Sequence, residues 1–267
     1  MAKRYGMVLD LDRCIGCYTC VVACKMQHGT RPGVDYNQVK RIEWGEYPDA
    51  KQRFGLTMCM HCEDAPCAKA CPVGAIYTTE EGVVLTDYDT CVGCGACAQA
   101  CPYGQRYIVS DDVTSFEGVV LPFEEEAAKR LDVAESCTFC YGRAKAGEKP
   151  ICTVHCPAQC RIFGDVNDPK SEISKYIKDH NAVQVKGTSI YYVMPKGMKR
   201  SLLPPDHIVT ASAATGKNQN TIKKNDSGIN AGVLAAGAIG MAALARGKYI
   251  YSQKEENQEE DRKGGDK

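Results

Sequence analysis

The sequence predicts an α+β fold of two nested modules, organised around metal-binding loops rather than one large apolar core. Three observations point there. The 267 residues include 17 cysteines, and sixteen of these fall into four groups of four. A stretch near the N-terminus recurs farther along the chain. Short β-patterned segments, 107–121 and 182–194, lie between and after the cysteine groups. The length suits one large domain or two small ones. Formal charge is zero with 25% charged residues, which argues against nucleic acid as a partner.

The first group is Cys14, Cys17, Cys20 and Cys24, spaced C-x2-C-x2-C-x3-C. The second is Cys59, Cys62, Cys67 and Cys71, spaced C-x2-C-x4-C-x3-C-P. The third, Cys91, Cys94, Cys97 and Cys101, repeats the first spacing and ends in proline. The fourth is Cys137, Cys140, Cys152 and Cys156, spaced C-x2-C-x11-C-x3-C-P. Disulfides are disfavoured by the odd count, by the chain length and by "MAKRYGMVLDLDRC", which has no apolar h-region or cleavage site and so predicts no secretory signal. Structural zinc takes two C-x2-C pairs or mixed Cys/His sites; the fourth group alone could pass for one, but the triple runs do not. They have the bacterial ferredoxin spacing for [4Fe–4S] clusters.

Three close cysteines on a turning loop reach three corners of one cubane, and Gly16, Gly93 and Gly95 permit the tight backbone. A helix over "CVVACKMQH" sets Cys20 and Cys24 on one face, a turn apart, to serve two neighbouring clusters. Pro72, Pro102 and Pro157 stop the turn after the last cysteine.

In this spacing the fourth cysteine ligates the other cluster of a pair. The second and third groups pair as neighbours, and the first and fourth pair across the chain. The expected sets are Cys14, Cys17, Cys20 and Cys156 (cluster 1); Cys24, Cys137, Cys140 and Cys152 (cluster 2); Cys59, Cys62, Cys67 and Cys101 (cluster 3); and Cys71, Cys91, Cys94 and Cys97 (cluster 4). All sixteen are expected to bind iron, in four [4Fe–4S] centres. Module one is then 1–50 with 130–180, and module two is 51–110, within a four-cluster domain spanning 1–205. The repeat agrees: "VLDLDRCIGC" (8–17) aligns with "LTDYDTCVGC" (85–94), each a short strand running into a cluster loop. Asp10, Asp12, Asp87 and Asp89 are read as turn formers and amide acceptors. Registered on the C-P dipeptides, Cys160 falls where Ala75 and Gln105 fall, so it is expected to be a small buried filler and not a ligand.

These residues carry a resemblance. "YGMVLDLDRCIGCYTCVVACKMQH", "CMHCEDAPCAKACPVGAI", "DTCVGCGACAQACPYG", "CTFCYGRAKAGEKPICTVHCP" and "RIFGDVNDPKSEISKYI" resemble the four-cluster iron–sulfur subunits of molybdenum oxidoreductases of the dimethyl sulfoxide reductase, polysulfide reductase and arsenate respiratory reductase type. "GMVLDLDRCIGCYTCVVACK" followed by "GEYPD" is most similar to the small subunit of respiratory arsenate reductases. Some members replace one ligand in the third group and carry a three-iron cluster; here all four cysteines stand. The resemblance implies a relay between a molybdopterin catalytic subunit and a membrane anchor, quinone pool or other carrier in anaerobic respiration. It implies membrane association. It leaves the side open, because related subunits can be exported folded with a partner that carries a twin-arginine signal. The rivals are a free-standing polyferredoxin serving soluble enzymes and a cysteine-rich zinc-binding interaction protein. The terminal substrate and the direction of flow are not legible.

Catalytic residues: none are expected, since no G-x-G-x-x-G before a helix, no P-loop and no serine elbow occurs. His61 and His155 are read as neighbours of a cluster or as exposed residues rather than as ligands, because no cysteine is missing. Arg143 and Lys145, in the fourth group's insertion, are read as a solvated loop, the alternative being a face toward a partner or a quinol head group. Residues 206–228 read as a polar linker. Next, "INAGVLAAGAIGMAALA" (229–245) is uncharged over 17 residues, the lower edge of a spanning helix, with Gly232, Ala236 and Gly240 forming a small-residue stripe. A membrane or anchor-docking helix and a soluble segment both remain open there. The tail 246–267, with six basic and six acidic residues, reads as disordered. Each cluster with its thiolates adds roughly two negative charges, and folding is expected to depend on metal.

Overall fold

The computed structural model describes residues 2–110, 114–116, 119–203 and 221–222. In chain order the elements are β1 (Tyr5–Asp10), α1 (Thr19–His28), β2 (Asn37–Trp44), β3 (Lys51–Met58), α2 (Pro66–Lys69), β4 (Ile76–Thr78), β5 (Val84–Thr86), α3 (Ala96–Ala100) and β6 (Tyr107–Val109). They continue with α4 (Glu125–Ala128), β7 (Ala134–Glu135), α5 (Tyr141–Lys145), α6 (Ile151–Val154), β8 (Arg161–Asp165), α7 (Glu172–Asp179), β9 (Val183–Gln184), β10 (Ile190–Val193) and β11 (Thr221–Ile222).

The largest sheet has strand order β8-β1-β10-β9, with β1 antiparallel to β8 and parallel to β10. "YGMVLD" is buried along its whole length, as a strand covered on both faces must be. Alternation along it divides the core. Tyr5, Met7 and Leu9 face the main core with the hairpin and the cysteines, while Val8 packs with Ile162, Val193 and Ile173 of α7. The Ser171 hydroxyl caps α7 by accepting from the Ser174 amide at 3.2 Å.

The hairpin β2–β3 pairs in register from Asn37↔Met58 to Trp44↔Lys51, so it joins the stretches 1–50 and 51–110. It buries Val39, Ile42, Leu56 and Met58. A smaller hairpin, β4–β5, and a sheet of order β11-β6-β7 frame a second core of Ala65, Ile76, Val84, Ile108 and Ala134 around Cys67 and Cys97.

The β-patterned segments resolve more finely than their sequences suggest. In 182–194 a turn through Gly187 (φ 70°) splits the stretch into the antiparallel pair β9 and β10. In 107–121 the regular part is β6, followed among the described residues by a single bridge between Phe116 and Val119. The expectations for 206–228, 229–245 and 246–267 lie outside the described residues, apart from β11. Among the described residues no helix is long and apolar enough to cross a membrane.

Candidate metal centres

The two repeated loops are built alike. Asp10 Oδ1 accepts from the amides of Asp12 (2.9 Å) and Arg13 (3.1 Å), and Asp87 Oδ1 accepts from Asp89 (3.1 Å). These bonds turn each strand into its loop, as expected of those aspartates. Gly16 (φ 68°) and Gly93 (φ 63°) then reverse the chain in the left-handed region. A Cβ would fall 2.5 Å from the Phe54 ring at Gly16 and 2.1 Å from the Asp132 carbonyl oxygen at Gly93. The chain next enters α1 or α3, which carries the third cysteine of its group.

The cysteines come together in quartets drawn from distant parts of the chain. Cys14, Cys17, Cys20 and Cys156 line one hollow, with Cys160 on its wall. Cys71, Cys91, Cys94 and Cys97 line another. Cys24 lies beside Cys152 and Cys140; burial and then their charges push its thiol upward. Cys137 adjoins Cys24 and Cys152. Burial, and then Cys59, Cys101 and Cys67, push the Cys62 thiol up to about 12. Among the described residues no three His, Cys, Asp or Glu side chains close on one point to hold a single ion.

Sulfur acceptors are matched by donors. The amide four residues after the last cysteine donates back to it in three groups: Ala75 to Cys71 (3.2 Å), Gln105 to Cys101 (3.4 Å) and Cys160 to Cys156 (3.4 Å). Ala134 N–H donates to Cys91 (3.3 Å) and Phe139 N–H to Cys137 (3.5 Å). Such bonds favour thiolates. Three residues that sequence reasoning missed also reach cysteine sulfurs. Arg161 donates to Cys20 (3.4 Å) and Arg106 to Cys67 (3.5 Å). His28 Nε2 lies 3.2 Å from Cys140 Sγ, and burial, then Arg130, lower its pKa to about 4, so it is neutral at pH 7. The recurring C-P-x3-R in "CPYGQR" and "CPAQCR" was the available signal for the arginines. His28 stands four residues after Cys24 on α1, but its partner is 112 residues away.

Neighbouring quartets touch electrostatically: Cys20 acts on Cys152, Cys59 on Cys137 and Cys67 on Cys97. The sequence of quartets therefore runs from the Cys14 set to the Cys24 set, the Cys59 set and the Cys71 set. Cys17 and Cys94 are exposed, one in each terminal quartet. Around Cys17 a groove of about 630 Å³ is lined by Val22, Met26, Ile151 and His155.

His61 is fully buried. Its Nδ1 accepts from the Val84 amide (3.0 Å) and its ring packs 3.8 Å from that of Phe139, while its backbone amide donates to Cys59. Burial, then Arg106 and Arg4, lower its pKa to about 3. His155 is exposed. Arg143 pairs with Glu148 at 2.9 Å and Lys145 with Glu81 at 3.0 Å.

Comparison with known proteins gives two matches to 4Fe-4S dicluster domain families, at residues 13–75 and 51–117. The sequence is 34% identical to the arsenate respiratory reductase iron–sulfur subunit ArrB of Shewanella sp. strain ANA-3, covering 73% of this protein and 98% of that one. It is 39% identical to a putative dimethyl sulfoxide reductase iron–sulfur subunit of Halobacterium salinarum, covering 71% and 79%. It is 35% identical to one of the chains of the polysulfide reductase of Wolinella succinogenes, covering 70% and 89%.

Proposed function

This protein belongs to the iron–sulfur electron-transfer subunits of anaerobic respiratory molybdoenzymes, and on that premise we propose how its residues build the relay. Cys14, Cys17, Cys20 and Cys156 hold cluster 1. Cys24, Cys137, Cys140 and Cys152 hold cluster 2. Cys59, Cys62, Cys67 and Cys101 hold cluster 3, and Cys71, Cys91, Cys94 and Cys97 hold cluster 4. The carrying observation is the hollow that brings Cys156 to Cys14, Cys17 and Cys20, more than 130 residues apart in the chain. The donor set suits the group: thiolates around a space, amides aimed at sulfur, and buried cations nearby.

A bound [4Fe–4S] cluster supplies one-electron chemistry, tuned by ligands, hydrogen bonds to sulfur and burial. The protein supplies position. α1 places Cys20 and Cys24 in adjacent quartets, and the core side chains exclude water between them. The contacts between quartets favour transfer in the order 1, 2, 3, 4. The exposed Cys17 and Cys94 mark the two ends where partners exchange electrons. One partner is a molybdopterin catalytic subunit; the other is a membrane anchor or another carrier, with membrane contact through 229–245. The complex works at the membrane, and the chain performs no bond chemistry itself. The relatives' names span arsenate, dimethyl sulfoxide and polysulfide, so the substrate belongs to the catalytic partner.

The test is one alanine variant per set, Cys14, Cys137, Cys59 and Cys91, with iron analysis and low-temperature EPR of each. Each is expected to lose or convert a different centre. Two variants of different sets affecting the same centre refute the assignment. Purification together with a molybdenum subunit separates the relay from a free-standing polyferredoxin.

A further inference from the structure

Arg106 and Arg161 are two buried cations in search of a counter-charge. They are 1% and 2% exposed. Arg161 donates to Asn37 Oδ1 (2.9 Å) and Cys20 Sγ (3.4 Å), and also approaches the sulfurs of Met58 and Met7. Arg106 donates to Thr86 Oγ1 (2.7 Å) and Cys67 Sγ (3.5 Å). Neither forms an ion pair with a carboxylate among the described residues, and the Nε of each has no partner. Taking a guanidinium out of water this far is costly unless an anion compensates it. Guanidinium does not escape by losing its proton.

The positions are related by the repeat. Arg106 is the fifth residue after Cys101, and Arg161 the fifth after Cys156; in the second group that place is held by Ile76. Each pair of quartets thus receives one arginine after its C-P turn, Arg106 just ahead of β6 and Arg161 as the first residue of β8. Each touches the third cysteine of the opposite group. Each also acts across its pair: burial opposes the charge of Arg161, but Cys152 and then Cys20 outweigh it and hold its pKa above the ordinary range. Arg106 acts likewise on Cys97.

We propose that Arg161 and Arg106 are the counter-charges of the two cluster pairs, each raising the reduction potential of the cluster whose thiolate it touches, cluster 1 and cluster 3 respectively. Reduction adds one electron to a cluster that is already anionic. A fixed cation at the ligand sulfur stabilises the reduced form more than the oxidised form, and an N–H bond to that sulfur withdraws charge from iron in the same sense. The second cluster of each pair feels the same cation from farther away and shifts less.

This rests on the ligand sets proposed above, and those are tested separately by the cysteine variants, which read the centre lost and not its potential. The experiment here is potentiometric titration followed by EPR on the full chain isolated with its clusters. R161Q is expected to weaken reduction of cluster 1 at least tenfold in its equilibrium constant, about 59 mV for one electron, with clusters 3 and 4 unmoved. R106Q is expected to do the same to cluster 3, with clusters 1 and 2 unmoved. R161K and R106K, which keep the charge, should shift less than the glutamine variants. Full iron with unmoved potentials, or an equal shift of all four centres, overturns the proposal. If a glutamine variant fails to take up iron while its lysine variant loads fully, the charge is still what the site requires. If both fail, the planar fork matters rather than the charge, and the proposal falls.

Discussion

Cys160 Sγ lies 3.4 Å from Cys156 Sγ and is buried at 3% exposure. Its amide makes the same bond to the preceding ligand position that Ala75 and Gln105 make. A backbone group therefore does the work shared by the three positions, and the Cys160 side chain is surplus to it. The sulfur is still not inert: a hydrogen bond shared with Cys14 lowers the Cys14 thiol and raises that of Cys160. That makes Cys160 a protonated donor toward a ligand position. Cys160→Ala is expected to keep the full iron content, about sixteen atoms for four cubanes, whereas Cys156→Ala loses or converts one centre. Iron analysis with EPR checks this, and iron loss from Cys160→Ala refutes the registration. The proposed ligand cysteines come from spacing alone. The residues that bond their sulfurs were harder to read: the arginines share a C-P-x3-R spacing, but that spacing does not name a partner 39 or 141 residues away, and His28 lies 112 residues from Cys140.

At the scale of elements, α1 is the part that couples two quartets. It holds Cys20 and Cys24 one turn apart, both buried. Inserting one alanine between Val21 and Val22 rotates Cys24 by about 100° relative to Cys20. We expect loss of clusters 1 and 2 with retention of 3 and 4, seen as roughly half the iron and surviving EPR signals from the second pair. The loops should be as intolerant. Gly93→Ala forces a side chain into the left-handed region and against the Asp132 carbonyl, at a cost of about 1–3 kcal/mol for the backbone alone, so cluster 4 should be the first lost on warming. The contact between α5 and the β4–β5 turn is pH-dependent. Lys145 and then Tyr141 hold the Glu81 carboxyl down to about 2. A carboxylate with a lowered pKa in the fold stabilises above its ordinary value near 4.5 and loses that contribution as pH falls from there toward 2. The stability difference between the native chain and Glu81→Gln should therefore shrink across that window, as followed by denaturant unfolding at pH 6 and pH 3. The sequence revealed α1 and the two loop strands through the repeat. It concealed the β2–β3 hairpin, whose buried positions Asn37, Val39 and Ile42 do not keep a strict alternation.

For the whole molecule, the question is what holds the core together. The first and fourth cysteine groups are separated by more than a hundred residues, yet β1 pairs with β8, which follows the fourth group directly. The sheet thus closes what the ligands also close. The nested pairing is what ligand arithmetic proposes; the sheet order had no such signal, because strands of two to six residues leave little pattern to read. Eight of the sixteen proposed ligands are buried, as are Arg106 and Arg161, so the interior contains groups that oil-like packing does not reward. Without iron, two guanidinium charges and a crowd of thiols must share that space with no compensating anion, and the short strands and four- or five-residue helices have little cooperativity of their own. Site formation and folding should then be one event. Stripping iron and sulfide from the protein is expected to abolish its near-ultraviolet circular dichroism and to open residues 2–203 to proteolysis throughout, and anaerobic reconstitution with iron and sulfide should restore both. A metal-free chain that kept a cooperative unfolding transition and protease resistance would mean that the apolar clusters around β1 and the hairpin suffice by themselves.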